Sequence, residues 1–351
     1  MIDKVRVAAA QVAPVLMDRE ATVEKTCRVI EEVGRKKAQL VVFPETFIPG
    51  FPYWRGVLPI SRWSELMVEY QKNALTIPGP DTEVICEAAR DAGVICAIGC
   101  TERSDLIGSE TLYNTILFID GDGRILGRHR KLMPTHGERM VWGMGDGSDI
   151  IVFDTPVGRV GGLVCYEHHM TLLKAAMGIL GEEIHCAVWP GYWLMDRHPG
   201  SKRRYKEGES IHLCDIEHAV REYAFENQCF VISAGQYLPD EEMPPEAGGF
   251  NVAAGGSLIV NPAGVVLAGP LLDREEILYA DLDADDRRLT KAYFDALGHY
   301  SRWDVMTLRL DRRPLRPLAE EEGQKERLKE IADRYGIDYE ELMLMFQGYQ
   351  E

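Results

Sequence analysis

Residues 158–169 read Gly-Arg-Val-Gly-Gly-Leu-Val-Cys-Tyr-Glu-His-His. The run Gly158 to Cys165 is short, apolar and valine-rich, which predicts a buried strand. It breaks at Cys165 into the polar Tyr166-Glu167-His168-His169, so a strand-to-helix junction is expected there. Toward the C-terminus, Thr171 to Leu180 reads as a helix, Ile184 to Trp189 as a strand and Ser210 to Asn227 as an amphipathic helix. Four short strands follow: Cys229 to Ser233, Gly256 to Val260, Val265 to Ala268 and Glu276 to Leu282, with Asn261-Pro262-Ala263-Gly264 as a hairpin turn. Toward the N-terminus, Asp149 to Asp154 is an expected strand, joined to the quoted one by Thr155-Pro156-Val157-Gly158. Tyr113 to Ile119 and Arg124 to His129 form a hairpin around Asp120-Gly121-Asp122-Gly123. Val94 to Thr101 is a strand, and Ser61 to Leu75 and Thr82 to Asp91 are helices separated by Pro78-Gly79-Pro80. Gln39 to Phe43 is a buried strand stopped by Pro44. Ala21 to Lys37 is a helix with Val23, Cys27, Ile30 and Val33 on one face, and Val5 to Gln11 is the opening strand. Hairpins mixed with crossovers predict an α/β fold with a two-sheet core and helices outside.

Near Asp304 the composition changes. Asp311-Arg312-Arg313-Pro314-Leu315-Arg316-Pro317 is charged and proline-rich, and Glu320 to Met345 reads as one charged amphipathic helix. We therefore expect one domain over residues 1–305 and a helical C-terminal extension over 306–351. The chain has 39 Lys plus Arg against 56 Asp plus Glu, a net charge of −17. That excess of acid argues against a nucleic-acid or anionic-membrane partner. No apolar run approaches the roughly 20 residues of a membrane helix, and charges at Asp3, Lys4 and Arg6 do not suit a signal peptide. The eight cysteines (Cys27, Cys86, Cys96, Cys100, Cys165, Cys186, Cys214 and Cys229) are then expected as reduced thiols in the cytoplasm. Cys96 and Cys100 lack the second pair or the histidine that zinc needs.

Three positions stand where chemistry is possible. Cys165 ends a buried strand at a polar turn, a place where a thiol can be exposed in a cleft and activated. A buried structural cysteine is the plainer alternative, and the flanking Val164 and Tyr166 leave no Gly-x-nucleophile-x-Gly elbow. Glu45 follows Leu40-Val41-Val42-Phe43-Pro44 at a strand mouth, where desolvation raises a carboxyl pKa into the range of a general base; a loop cap is the alternative. Lys131 closes Arg128-His129-Arg130-Lys131, where it could steady a nascent anion or stand solvated on an edge strand. Glu138 lies seven residues on, in a polar loop able to reach the same place.

Together Phe43-Pro44-Glu45, Arg130-Lys131-Leu132-Met133-Pro134 and Cys165-Tyr166-Glu167 resemble the Glu-Lys-Cys signature of the nitrilase family of carbon–nitrogen hydrolases. Ala9-Ala10-Gln11 resembles the family's opening strand. Pro134-Thr135-His136-Gly137-Glu138-Arg139, Trp142-Gly143, Gly145-Asp146-Gly147-Ser148, Trp189-Pro190-Gly191 and Gly298-His299-Tyr300-Ser301-Arg302 resemble the true nitrilase branch. The likeness spans residues 4–305. Tyr166 stands where that branch usually has Trp, and His168 where it often has Asn, which bears on substrate range.

The resemblance implies a four-layer αββα sandwich, two face-to-face sheets flanked by helices. It implies hydrolysis of an organic nitrile to a carboxylic acid and ammonia through a Cys165 thioimidate and thioester, with Glu45 moving protons, Lys131 stabilising charge and Glu138 orienting Lys131 or the substrate. No metal or organic cofactor is expected; the partners are the nitrile and water. The same resemblance implies a homo-oligomer, a dimer building block able to extend into a spiral or filament. Tyr53, Trp54, Trp142, Tyr166, Trp189 and Tyr192 are candidates for an aromatic substrate pocket, with core packing the alternative for about half of them. Of His168 and His169 at most one can face the thiol, and a structural or pocket role is expected. Rival readings are a cyanide dihydratase or hydratase, an amidase of the same family, and a catalytically silent scaffold, which would have no need of all of Glu45, Lys131 and Cys165.

Overall fold

The computed structural model describes residues 2–56, 58–106, 108–191, 215–247, 253–315, 321–340 and 342. The elements run β1 (Lys4–Gln11), α1 (Arg19–Arg35), β2 (Leu40–Val42), α2 (Ile60–Lys72), α3 (Pro80–Ala92), β3 (Ile95–Arg103), β4 (Leu112–Ile119), β5 (Ile125–Arg130), β6 (Phe153–Thr155) and β7 (Gly158–Val164). Then come α4 (Thr171–Ile179), β8 (Ile184–Trp189), α5 (Asp215–Asn227), β9 (Phe230–Gly235), β10 (Gly255–Val260), β11 (Val266–Leu272), β12 (Glu276–Asp283), α6 (Ala284–Tyr293) and α7 (Glu321–Tyr335).

The strands make two six-stranded sheets, ordered β12-β1-β2-β3-β4-β5 and β11-β10-β9-β8-β7-β6. Each has a parallel heart, β1-β2-β3 in one and β7-β8-β9 in the other, with antiparallel strands outside. The period-2 alternation of each strand divides its side chains between two cores. Val7, Ala9, Leu40, Val42, Ile95, Ala97, Ile116 and Phe118 meet the second sheet. Their neighbours Ala8, Ala10, Val41, Cys96, Ile98, Leu117 and Ile119 pack with α1 and α3 residues such as Val29, Ile30, Val33, Ile85 and Ala89. A strand apolar on both faces must be covered on both, which is why the expected four-layer αββα sandwich forms.

Local chemistry sets several boundaries. Asp18 caps α1 through Ala21 N at 2.9 Å, and Gly93 closes α3 in the left-handed region. The expected strand Asp149 to Asp154 is only Phe153–Thr155. Asp146 bonds Ser148 N at 2.8 Å to make a short 3-10 turn, and His129 Nδ1 takes the Asp149 carbonyl at 3.2 Å, which pulls this stretch off the sheet. Helix α6 was not anticipated, although Asp283 caps it through Asp285 N. The expected single helix Glu320 to Met345 stops at Tyr335, because Gly336 takes φ 65 and breaks the helical run. Residues 210–214 of the expected Ser210 helix, Cys214 among them, lie outside the described residues.

The chain divides into a compact unit Met1–Arg312 and a second unit Arg313–Glu351. The first unit extends past the composition change because Leu310 packs on the core and Asp311 O lies where a Cβ on Gly147 would stand, 1.8 Å from it. Among the described residues no helix is long and apolar enough to cross a membrane.

Candidate active site

In an open α/β sheet, ligand chemistry gathers beyond the carboxyl ends of the parallel strands. Glu45 follows β2, Cys165 follows β7 and Trp189 ends β8. Lys131 follows β5, which runs in the direction of β3 because both are antiparallel to β4.

Cys165 opens a short 3-10 helix, Cys165–His169, with φ 52. A non-glycine residue in that region costs about 1–2 kcal/mol, so its neighbours must hold it. Glu167 does so. Its Oε2 accepts from Val164 N and from His129 Nε2, both at 2.8 Å, and its Oε1 accepts from Leu132 N at 2.8 Å. One buried carboxylate thus ties the cysteine turn to the strand end that carries Lys131. The turn is a sharp elbow made without the flanking glycines of the hydrolase motif, since Glu167 supplies the constraint.

The Pro44–Glu45 turn lies directly on β3. A Cβ on Gly99 would stand 1.9 Å from Pro44 O and 2.8 Å from Glu45 Cα, so glycine is needed for this approach. Glu45 N donates to Trp189 O at 3.3 Å and Gln236 Nε2 donates to Glu45 O at 3.2 Å, so the second sheet holds the backbone. On the side chain, Asn114 Nδ2 and Lys131 Nζ both donate to Oε1, at 2.6 and 3.0 Å. Oε2 is buried and has no hydrogen-bond partner among the described residues.

Lys131 is not a solvated edge residue. Its side chain is 0% exposed, its N donates to Asn114 O, and Nζ reaches Glu138 Oε2 at 2.7 Å as well as Glu45. Glu138 Oε2 also accepts from Thr135 N at 2.8 Å, which fixes the loop.

These charges set one another's proton affinity. Burial pushes the Glu45 carboxyl up to about 7, against the downward pull of Lys131 and Asn114. For Lys131, burial disfavours the ammonium, but Glu45, Cys165 and Glu138 outweigh it and hold the side chain protonated. Burial drives the Cys165 thiol well above its ordinary value, opposed by Lys131 and by the Tyr166 backbone N–H. A buried thiol that keeps its proton needs a base before it can attack, and Glu45 keeps one carboxylate oxygen without a hydrogen-bond partner among the described residues.

The model of the carbon–nitrogen hydrolase family matches residues 6–292. The chain belongs to that family. It is 40% identical over 328 residues to an aliphatic nitrilase of Rhodococcus rhodochrous, covering 89% of this chain and 84% of the relative. It is 37% identical over 331 residues to a bifunctional nitrilase/nitrile hydratase of Lupinus angustifolius, covering 90% and 88%. Its fold is similar to the crystal structure of a carbon–nitrogen hydrolase from Helicobacter pylori, with TM-score 0.67, 22% identity and coverage of 86% and 96%.

In this carbon–nitrogen hydrolase the five described aromatic candidates stand in three different surroundings. Tyr53, Trp54 and Trp142 are buried together with Phe51 and Tyr70. Tyr53 Oη shares its proton between Pro190 O and Gln236 Oε1, each at 2.7 Å, and so braces the residue that holds the Glu45 backbone. Trp189 is buried against His168 at 4.7 Å between ring centroids. Tyr166 is 38% exposed and edge-on to His169. Tyr192 lies outside the described residues.

Sequence reasoning passed over Asn114, Gln236 and His129. Asn114-Thr115 interrupts the apolar run of β4 and was a usable signal; Gln236 follows a strand with nothing local to mark it. Glu167 was seen as part of the motif without a role.

Proposed function

We propose that this chain is a nitrilase, hydrolysing an organic nitrile to the carboxylic acid and ammonia with Cys165 as nucleophile. The observation that carries the reading is the buried Glu45–Lys131–Glu138 cluster, whose open Glu45 oxygen and raised carboxyl pKa suit repeated proton transfer beside a protonated thiol. The identity to proteins named nitrilases supports the substrate class.

Glu45 takes the thiol proton as sulfur bonds to the nitrile carbon, and returns it to nitrogen, giving a thioimidate. It then deprotonates water, which adds to the same carbon; Lys131 stabilises the tetrahedral centre. The nitrogen gains that proton and then, by way of Glu45, the proton of the added hydroxyl, and leaves as ammonia as the carbonyl forms, so a thioester remains. A second water, activated in the same way, releases the acid and restores the thiol. Loss of the thiolate from the tetrahedral centre in place of ammonia gives an amide. Glu138 holds Lys131 in line, and Tyr53, Trp54, Trp142, Tyr166, Trp189 and Tyr192 are the proposed surroundings of the substrate.

Ammonia release from aliphatic, aryl and arylacetonitriles, cyanide and simple amides tests the reading, with Cys165→Ala in parallel. Release from an organic nitrile, lost in the variant, is expected. Release only from cyanide or amides would move the activity to another branch, and no release from any of them would favour the silent scaffold.

The seven described cysteines are free, which suits a reducing cytoplasm. We further propose that residues 306–351 join copies of this chain in a homo-oligomer that extends from dimers to a spiral. Deleting the residues after Asp311 should shift the size-exclusion profile to smaller species; an unchanged profile would remove this role.

A further inference from the structure

A second buried polar cluster lies behind the Cys165 elbow and takes no part in the proton transfers above. His168 Nδ1 lies 2.6 Å from Cys165 O. A carbonyl only accepts, so Nδ1 carries the proton. His168 Nε2 lies 2.9 Å from His185 Nε2. Burial and the neighbouring His185 keep the His168 ring neutral, so its Nε2 is the acceptor and His185 Nε2–H the donor. His185 Nδ1 faces Glu182 Oε1 at 2.8 Å, and Tyr223 Oη donates to Glu182 Oε2 at 2.6 Å. Every residue of this chain is buried, with His185 stacked on Tyr223 at 3.8 Å and His168 on Trp189. The nucleophile strand itself makes room for it: a Cβ on Gly161 would stand 2.3 Å from Glu182 Oε1.

The direction of donation is therefore set at each link from His185 to the elbow. The carbonyl that receives it belongs to the Cys165–Tyr166 peptide, the unit whose N–H opposes the rise in proton affinity of the Cys165 thiol. Holding the carbonyl orients that N–H, and a bond accepted at the oxygen strengthens donation from the nitrogen. The same bond holds a residue at φ 52 against relaxation.

We propose that His168 is a positioning residue for the nucleophile: the buried Tyr223–Glu182–His185 chain keeps its proton on Nδ1, and that proton locks the Cys165–Tyr166 peptide with its N–H on the sulfur. The inference rests on the reading of Cys165 as nucleophile.

The test compares His168→Leu, which keeps bulk without a donor, with His168→Asn, whose amide N–H can take the place of Nδ1–H. Three quantities are read on the full chain: the rate at which iodoacetamide alkylates Cys165, followed by peptide mass spectrometry; kcat and KM on a nitrile turned over by the wild type; and Tm. Leucine is expected to slow alkylation and kcat at least tenfold with KM within twofold, and asparagine to stay within threefold of wild type. Alkylation of the leucine variant at the wild-type rate, or equal losses in both variants, would overturn the proposal. If neither folds, His185→Gln, which can still donate to His168 Nε2, should alkylate faster than His185→Met, and equal rates would overturn it. If wild-type Cys165 reacts no faster than Cys96, the nucleophile reading fails and takes the inference with it; slow variants beside a fast wild type leave that reading standing.

Discussion

Glu45 and Glu167 are the same residue type, both wholly buried, both within the candidate site, and their carboxyls are pushed in opposite directions. Glu167 accepts two backbone N–H bonds and one from His129, spread over both oxygens, and its carboxyl falls below the ordinary value even though burial opposes this. Glu45 accepts two bonds on one oxygen, has an unpartnered second oxygen and shares its lysine with Glu138, so burial prevails and its carboxyl rises to about 7. Burial alone does not make a carboxylate reactive. The count of donors decides whether it is a clamp or a base.

The sharpest way to break this contrast is to remove each charge. Glu45→Gln should lower kcat by about a thousandfold or more, since a general base contributes roughly 10²–10⁴, and should lower stability less than the Glu167 change, because the amide oxygen can still accept from Asn114 and Lys131 keeps its pair with Glu138. Glu167→Gln should cost more in stability, about 3–5 kcal/mol by chemical denaturation, because His129 and two backbone donors lose a charged partner. Equal stability losses in the two variants would end the distinction.

Gly99→Ala should cost about 10²-fold or more in kcat, because displacement of a proton-transferring group by about an ångström has that effect, and it should lower Tm clearly as well, because the backbone of Pro44 and Glu45 must move to admit the methyl group. A variant as active as wild type would mean that the Pro44–Glu45 turn tolerates movement. Asn114→Ala should cost about tenfold, the weight of one hydrogen bond to a charged group. Because that bond lowers the Glu45 carboxyl, its loss should move the acid limb of kcat/KM upward from near pH 7; a limb that stays in place would show that another group governs it.

The smallest effect is in stability against pH, and the two residues differ in sign. The folded Glu45 carboxyl lies above its unfolded value, so between about 4.5 and about 7 the folded state holds the extra proton and this group's contribution falls as pH rises. The folded Glu167 carboxyl lies below its unfolded value, so its contribution is present above that value and is lost as pH falls through the folded one. Plotting the stability of wild type minus that of each glutamine variant against pH should give a fall between about 4.5 and about 7 for Glu45 and, for Glu167, a rise confined to pH below about 4.5 with a plateau above it; a fall above pH 4.5 in both would contradict the assignment.

Much of this was legible in residues alone. The apolar runs at 5–11, 40–43, 94–101 and 160–164 become strands because only such runs can be covered on both faces. The motifs at Glu45, Lys131, Glu138 and Cys165 lead to one place because each ends or follows a strand of the same layered core. The extra strand residues at Asp149 and the unbroken tail helix were misread where a side-chain cap or a left-handed glycine outweighed local propensity.

By itself, then, the order of residues determined the strand and helix periodicity, the sandwich architecture and which polar groups stand at the strand ends, since these depend on local chemistry and on which faces must leave water. Only the tertiary structure decided what those groups can do. That Asn114 and Lys131 crowd one oxygen of Glu45, that Gln236 reaches its backbone from the other sheet, that Glu167 closes over His129, and that His168 holds the Cys165 carbonyl are contacts across 3 to 191 positions of chain. Proton affinity follows the donors that surround an atom, and most of those donors are brought there by the packing of two sheets rather than by neighbours in sequence.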